Sequence, residues 1–251
     1  MSNEAAIALV AWGNAWLTGH VGLDEAVDAV ERARGPQILG SAPAEVPLRR
    51  GLGDLRVAGL RAFRLALPAP GDPLGLSGPP DFNLAAIDAG AAVVARLHDR
   101  AFGLVPHEDR RGSSYVGVRW ETRDAALADP DVPPLAEADR SLALAMRDAT
   151  EVLVTVVDVA GVPPEVADAL ADLRDPGRDD HPLAPGYPQR AHRVAAQARR
   201  LSLVVDLARR LDAVGLTADQ MHRRDEALRL LDRAVRRALT AACNSAFDHV
   251  P

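Results

Sequence analysis

The chain has no lysine: all 29 basic residues among its 251 positions are arginine. Without an ε-amine there is no lysine-bearing phosphate loop, no protein-kinase strand lysine and no pyridoxal Schiff base. A desolvated lysine nucleophile and a Ser-x-x-Lys acylation site are excluded as well. The chain is rich in Ala, Gly, Pro and Val, whose codons, like most of arginine's, are GC-rich, and this is the simpler account of the absence. Selection against lysine modification is the competing account.

Cysteine is nearly absent too. Cys243 stands alone, so an internal disulfide and a zinc–thiolate cluster are excluded. Its neighbours Ala241, Ala242 and Asn244 mark it as a small buried residue late in a helix. Aromatic residues make up 4% of the chain, and neither of the two tyrosines lies near the arginine stripe of the last helix, which removes stacking platforms for bases there. The apolar run from Ala5 to Trp12 is short and preceded by Glu4 rather than a basic residue, so a secretory signal is not expected. No run reaches the roughly 18 apolar residues that suggest a membrane span. A cytoplasmic location is expected.

The length accommodates one large domain or two small ones with a substantial core. A net charge of −6 favours solubility and argues against nucleic acid. Its distribution is uneven: residues 187–240 carry 12 arginines against 6 acids, and residues 1–186 carry 17 against 28. Internal complementarity between the two parts is the favoured reading.

Two helices are expected first, over about 4–17 and from Leu23-Asp24-Glu25 to before Gly35-Pro36, followed by a loop through Arg49-Arg50-Gly51. Residues 55–123 read as β structure, with large apolar side chains at alternate positions in Phe63–Leu67 and in Val116, Val118 and Trp120. Ala92–Ala95 and Phe102–Val105 are shorter strand candidates, and a brief helix is expected around Asn83–Asp88. The close spacing predicts an antiparallel meander of about four strands, with a turn at Arg110-Arg111-Gly112-Ser113.

After a proline-marked break at 124–134, Leu135, Ala138, Leu142, Ala145, Ala149 and Val152 trace a long amphipathic helix to about 160. Pro163-Pro164 starts a short helix ending near Arg174, and a polar loop runs from Asp175 to Pro188. A helix over about 189–213 buries Val194, Ala198, Leu201 and Val205. The last helix opens on a capping box, Thr217 with Gln220, and buries Met221, Leu228, Leu231, Val235 and Leu239. Gly215 favours an antiparallel hairpin between the two.

The segment from Pro68 to Pro80 is the most unusual. Its candidate binding residues are Asp72, Gly75, Ser77 and Gly78, since glycine amides can face an anion, although five prolines remove donors. A rigid connection is the favoured reading. The seven histidines show no metal-ligand spacing, His107-Glu108-Asp109 reads as a solvated turn, and Gly112–Gly117 is not a nucleophile elbow. On the last helix Arg229, Arg233, Arg236 and Arg237 share one side and could grip carboxylate or phosphate. Acid-before-arginine pairs at Asp206–Arg210, Asp225–Arg229 and Asp232–Arg236 offer the plainer account of an exposed helix. Arg224 falls on the buried face, where it must snorkel or meet a carboxylate.

The expected fold is α+β: N-terminal helices with a small antiparallel sheet over 1–123 and an antiparallel helical bundle over 135–251, packed as one unit. No catalytic residue, cofactor or metal is assigned, and an enzyme is disfavoured. The leading functional expectation is a cytoplasmic adaptor or assembly factor acting through a protein partner or self-association, without membrane contact. A small-molecule binder or lysine-independent enzyme near the 68–80 loop is second, and a regulatory nucleic-acid binder third.

Overall fold

A computed structural model describes residues 2–40, 43–111, 115–160, 183–210 and 217–247. The expected 163–174 helix, most of the loop from Asp175, the Gly112-Ser113 turn and the Gly215 connection lie outside the described residues. The described chain is α+β, with seven α-helices and one six-stranded sheet. It divides into two compact units. One comprises Met1–Val132, Leu183–Ala191 and Ala242–Pro251; the other comprises Pro133–Pro182 and His192–Ala241.

The first unit opens with α1 (Ser2–Leu17) and α2 (Leu23–Arg34). Next come β1 (Gln37–Leu39), β2 (Val46–Pro47) and α3 (Leu48–Val57). Then follow β3 (Ala62–Ala66), α4 (Pro80–Ala89), β4 (Ala92–Arg96), β5 (Ala101–Arg111) and β6 (Tyr115–Ala125). Strand order is β2-β1-β6-β5-β4-β3. The four expected strands form an antiparallel meander, β3 to β6.

The sheet nevertheless has six strands rather than about four, and β1 runs parallel to β6, pairing Gln37 to Leu39 with Val118 to Trp120. Strands of three and two residues are too short for alternation to register. What holds β1 is a buried glutamine. Gln37 Nε2 donates to the Val30 carbonyl at 3.1 Å, and its Oε1 accepts from Trp120 Nε1 at 2.7 Å.

The loop expected through Arg49-Arg50-Gly51 is helix α3. Leu48 and Leu52, one turn apart, are fully buried, and that burial outweighs the poor helix propensity of Gly51. Glycine is needed there, because a Cβ would lie 2.9 Å from Leu39 Cδ2.

Pleating sorts the meander into two apolar faces. Phe63, Leu65, Val93 and Leu104 share the face on which α1 packs, where Gly13 lets the helix approach: a Cβ would lie 2.6 Å from Phe63 Cδ2. The opposite face joins Ala66, Ala92, Val94, Ala101 and Val105 to Phe82 and Ala86 of α4 and to Leu76. The sheet is thus covered on both sides within its own unit. The single cysteine, Cys243, is buried here as expected.

The second unit holds most of three long helices: α5 (Leu135–Ala160), α6 (Gln189–Arg210) and α7 (Ala218–Asn244). Their stripes are buried at Ala138, Leu142 and Ala149, at Val194, Ala198 and Val205, and at Leu228, Leu231 and Val235. The capping box forms in both directions, with Thr217 N donating to Gln220 Oε1 at 2.9 Å and Gln220 N to Thr217 Oγ1 at 3.3 Å. Met221 departs from the expected stripe and is 38% exposed, as its position in the first turn of α7 allows.

Candidate functional site

The 68–80 segment is tied down by its own backbone. Ala69 and Asp72 exchange two hydrogen bonds of 2.9 Å, closing a tight turn, and Asp72 is buried. Leu74 and Leu76 fill the core on either side of Gly75. At φ +83°, Gly75 passes so close to β3 that a Cβ would lie 2.6 Å from Ala66 Cα. The Gly78 amide donates to Asn83 Oδ1 at 3.1 Å, its carbonyl accepts from Ala126 N at 3.0 Å, and Ser77 Oγ donates to the Ala126 carbonyl at 3.4 Å. These contacts describe a packed connection between β3 and α4.

His107-Glu108-Asp109, expected as a turn, lies inside β5, because β5 and β6 pair over eleven residues each. Pleat alternation points Glu108 to the face opposite that of His107 and Asp109. His107 shares a face with its partner Arg119, and its Nε2 lies 3.0 Å from Glu121 Oε2, which also pairs with Arg123 at 2.7 Å. Asp109 and Glu45 both meet Arg111 and hold its guanidinium above its ordinary pKa. Glu108 pairs with Arg110 and raises it likewise. Pro106, Val116 and Val118 line a cleft of about 300 Å³ with Ala5, Ala33 and Arg34, the last paired with Glu4.

The C-terminal arginines occupy one arc of α7 but differ in surroundings. Arg229 and Arg233 are exposed, while Arg236 and Arg237 are half-buried. Arg236 Nε donates to Asp232 Oδ2 at 3.3 Å, the expected four-residue pair. Arg229 instead meets Glu226, three residues back, at 3.0 Å. The side chain of Arg210 lies outside the described residues. Arg224 is largely buried, its side chain 13% exposed. It donates to the Ala208 carbonyl of α6, with Asp225 at 3.5 Å.

Beside that arc, α5 and α7 enclose a groove of about 500 Å³. Ala145, Ala149, Val152 and Ala227 line it with Leu144 and Leu230, which are 55% and 53% exposed. Its polar members are Ser141, Asp148, Arg223 and Glu226. At 100° per residue, Arg233 and Arg237 continue along α7 from Leu230, so the arginine arc adjoins the groove. Five of the eight large apolar residues that the described chain exposes lie on these three helices: Leu144, Met146, Leu203, Met221 and Leu230. Sequence reading took the buried stripe of each helix and passed over the groove. The signal available was an apolar residue off the stripe, Leu144 on α5 and Leu230 on α7.

Among the described residues no cluster of three or more His, Cys, Asp or Glu could hold a metal ion. Among them, too, no helix is long and apolar enough to cross a membrane.

Comparison with known proteins divides the chain close to the Val132–Pro133 boundary of the two units, with Leu183–Ala191 of the first unit falling in the second match. Residues 6–138 match the model described as "Rv1486c-like protein, N-terminal domain", and residues 136–240 match "Rv1486c-like protein, C-terminal domain". The chain is 27% identical to the uncharacterized protein ML1804 of Mycobacterium leprae (strain TN), across 95% of this chain and 96% of the relative. It is 28% identical to the uncharacterized protein Rv1486c of Mycobacterium tuberculosis (strain ATCC 25618 / H37Rv), across 96% and 98%. No solved structure matches significantly. The chain belongs to the Rv1486c-like family.

Proposed function

We propose that this protein is a cytoplasmic adaptor or assembly factor that works through protein–protein contacts, and that the α5–α7 groove is its docking surface. The observation carrying this reading is the apolar groove itself, with two leucines more than half exposed above a floor of small side chains. A contiguous exposed apolar surface bordered by charge is characteristic of interaction sites, whereas scattered single apolar residues are not. The capping box and the Asp232–Arg236 pair hold α7 in shape before any partner arrives. The arginine arc next to the groove supplies rim charge, which acts on association rate and partner choice more than on raw affinity.

The test is a photo-crosslinking amino acid placed at Leu230, and separately at exposed Val57 as a control. Illumination in cells is expected to join the Leu230 variant, and not the Val57 variant, to a second polypeptide. Equal or absent crosslinking at the two positions defeats the reading.

A small-molecule reading is favoured by one observation, the cleft beside Arg34, whose walls of Ala5, Ala33, Pro106, Val116 and Val118 are apolar around a guanidinium and Glu108. Its volume is at the lower end of ligand pockets. Thermal-shift screening of small carboxylates against the chain and its Arg34→Gln variant tests it, a shift confined to the native chain being the positive result.

A further inference from the structure

We infer that the occupant of the α5–α7 groove is a second copy of this chain, docked by a two-fold axis that sets α5 of each copy against α7 of the other. The inference rests on the docking reading above and names its partner. It is drawn from charge. Helix α5 carries five acids, Glu137, Asp139, Asp148, Glu151 and Asp158, against Arg140 and Arg147, a net of −3. Helix α7 carries Arg223, Arg224, Arg229, Arg233, Arg236 and Arg237 against four acids, a net of +2.

The groove has one wall from each helix: Asp148 is the charged member of the α5 wall, and the α7 wall carries Arg223 beside Glu226, which is paired with Arg229 of its own helix. A two-fold axis exchanges the walls, placing Asp148 of each copy against Arg223 of the other, twice over. A foreign partner needs a complementary charge pattern of its own. A second copy supplies one by symmetry.

The polar members of the groove show the same relationship at residue level. Asp148 of α5 has no ion-pair partner among the described residues. Arg223 of α7 pairs only within its own helix, with Asp219 at 2.8 Å, where both side chains are about 70% exposed. Such a pair is worth little in water, so Arg223 can turn to an acid across an interface at small cost. Leu144 and Leu230 then meet their copies or one another around the axis and leave water together, supplying the non-directional part of the attraction.

The experiment is sedimentation velocity and light scattering on the full chain over a range of concentrations, with four variants. The native chain is expected to pass from monomer to dimer with a Kd of roughly micromolar order. Leu144→Glu with Leu230→Glu is expected to weaken the dimer by about a hundredfold or more, because it buries like charges on both sides of the axis. Asp148→Arg and Arg223→Asp are each expected to weaken it by about tenfold. Combined in one chain, they are expected to restore affinity to within about threefold of native, since each new arginine faces a new acid. Circular dichroism shows whether each variant keeps its helices, and the combined charge variant keeps the test open if the leucine variant does not fold.

A chain that stays monomeric throughout overturns the inference. So does a dimer that survives the leucine substitutions, or charge effects that add instead of cancelling. A monomeric chain that still crosslinks through Leu230 to a different polypeptide overturns self-association and leaves the adaptor reading standing. Absence of both dimer and crosslink removes both.

Discussion

Asn244 and Leu65, 179 positions apart, are joined by two hydrogen bonds: Asn244 Oδ1 accepts from the Leu65 amide at 2.7 Å, and Nδ2 donates to its carbonyl at 3.1 Å. Asn14 treats Phe63 in the same way, at 2.8 and 2.9 Å. Phe63 and Leu65 lie on β3, the edge strand, and these amides and carbonyls face away from β4. An unpaired edge invites another strand. Here two side-chain amides occupy the positions that a further strand's backbone would take.

Replacing either asparagine by alanine leaves a buried backbone donor and acceptor unpaired, at about 1–3 kcal/mol each. Asn244→Ala and Asn14→Ala are each expected to lower unfolding stability by about 2–4 kcal/mol in urea titration. Asn244→Asp, which keeps the acceptor and loses the donor, should also be destabilised. Equal stability of Asn244→Ala and native protein would show that the clasp contributes nothing.

Gly103 makes room for an aromatic ring. A Cβ at this position would lie 2.2 Å from Phe82 Cε2, in the centre of the α4 side of the sheet. Gly103→Ala is therefore expected to cost about 1–3 kcal/mol through overpacking. Phe82→Leu alone should destabilise by leaving a void. In the double variant the leucine vacates the space that the new methyl needs, so the combined loss should be smaller than the sum. A double-mutant cycle with strict additivity contradicts the contact.

Tyr187 is buried, and its hydroxyl donates to the Cys243 carbonyl at 3.0 Å. Burial, with Cys243 adding to it, pushes the phenol well above its ordinary 10.0. The folded state therefore holds this proton more tightly than the unfolded chain. The stabilisation is fully present below pH 10 and is lost as pH rises beyond it, because the unfolded chain alone releases the proton. The lysine-free composition makes the effect legible, since there is no ammonium titration in this range. Tyr187→Phe is expected to lose about 1 kcal/mol at neutral pH and to flatten the decline above pH 10, as read by denaturation at stepped pH. An unchanged alkaline slope in that variant rules Tyr187 out as its source.

Much of the fold follows from periodicity alone. Alternation in Phe63–Leu67 and Val116–Trp120 marked meander strands, and three- and four-residue spacing marked α5, α6 and α7. What did not show is what depends on single distant contacts. Strand β1 is fixed by Gln37 reaching Trp120 and Val30, and α3 by two buried leucines around a glycine that a local rule assigns to a loop. At the candidate site, the arginine side of α7 was visible as a wheel position, but the groove depends on α5 and α7 lying together. Leu144 and Leu230 read as ordinary apolar residues until the neighbouring wall is known.

Arg224 resolves the one conflict that the helical wheel posed. Its position places a guanidinium on the buried face, and there it donates to the Ala208 carbonyl of α6. Arg224→Met keeps most of the buried stem and removes the donor, and is expected to cost about 1–3 kcal/mol. Arg199→Met, at an exposed position of α6, should change stability by no more than about 0.5 kcal/mol. Amide hydrogen exchange locates the effect: loss of the contact should speed exchange around Ala208 while leaving Val194 and Ala195 protected. If exchange rises evenly along α6, or if the two variants behave alike, the Arg224–Ala208 contact does not hold this part of the helix.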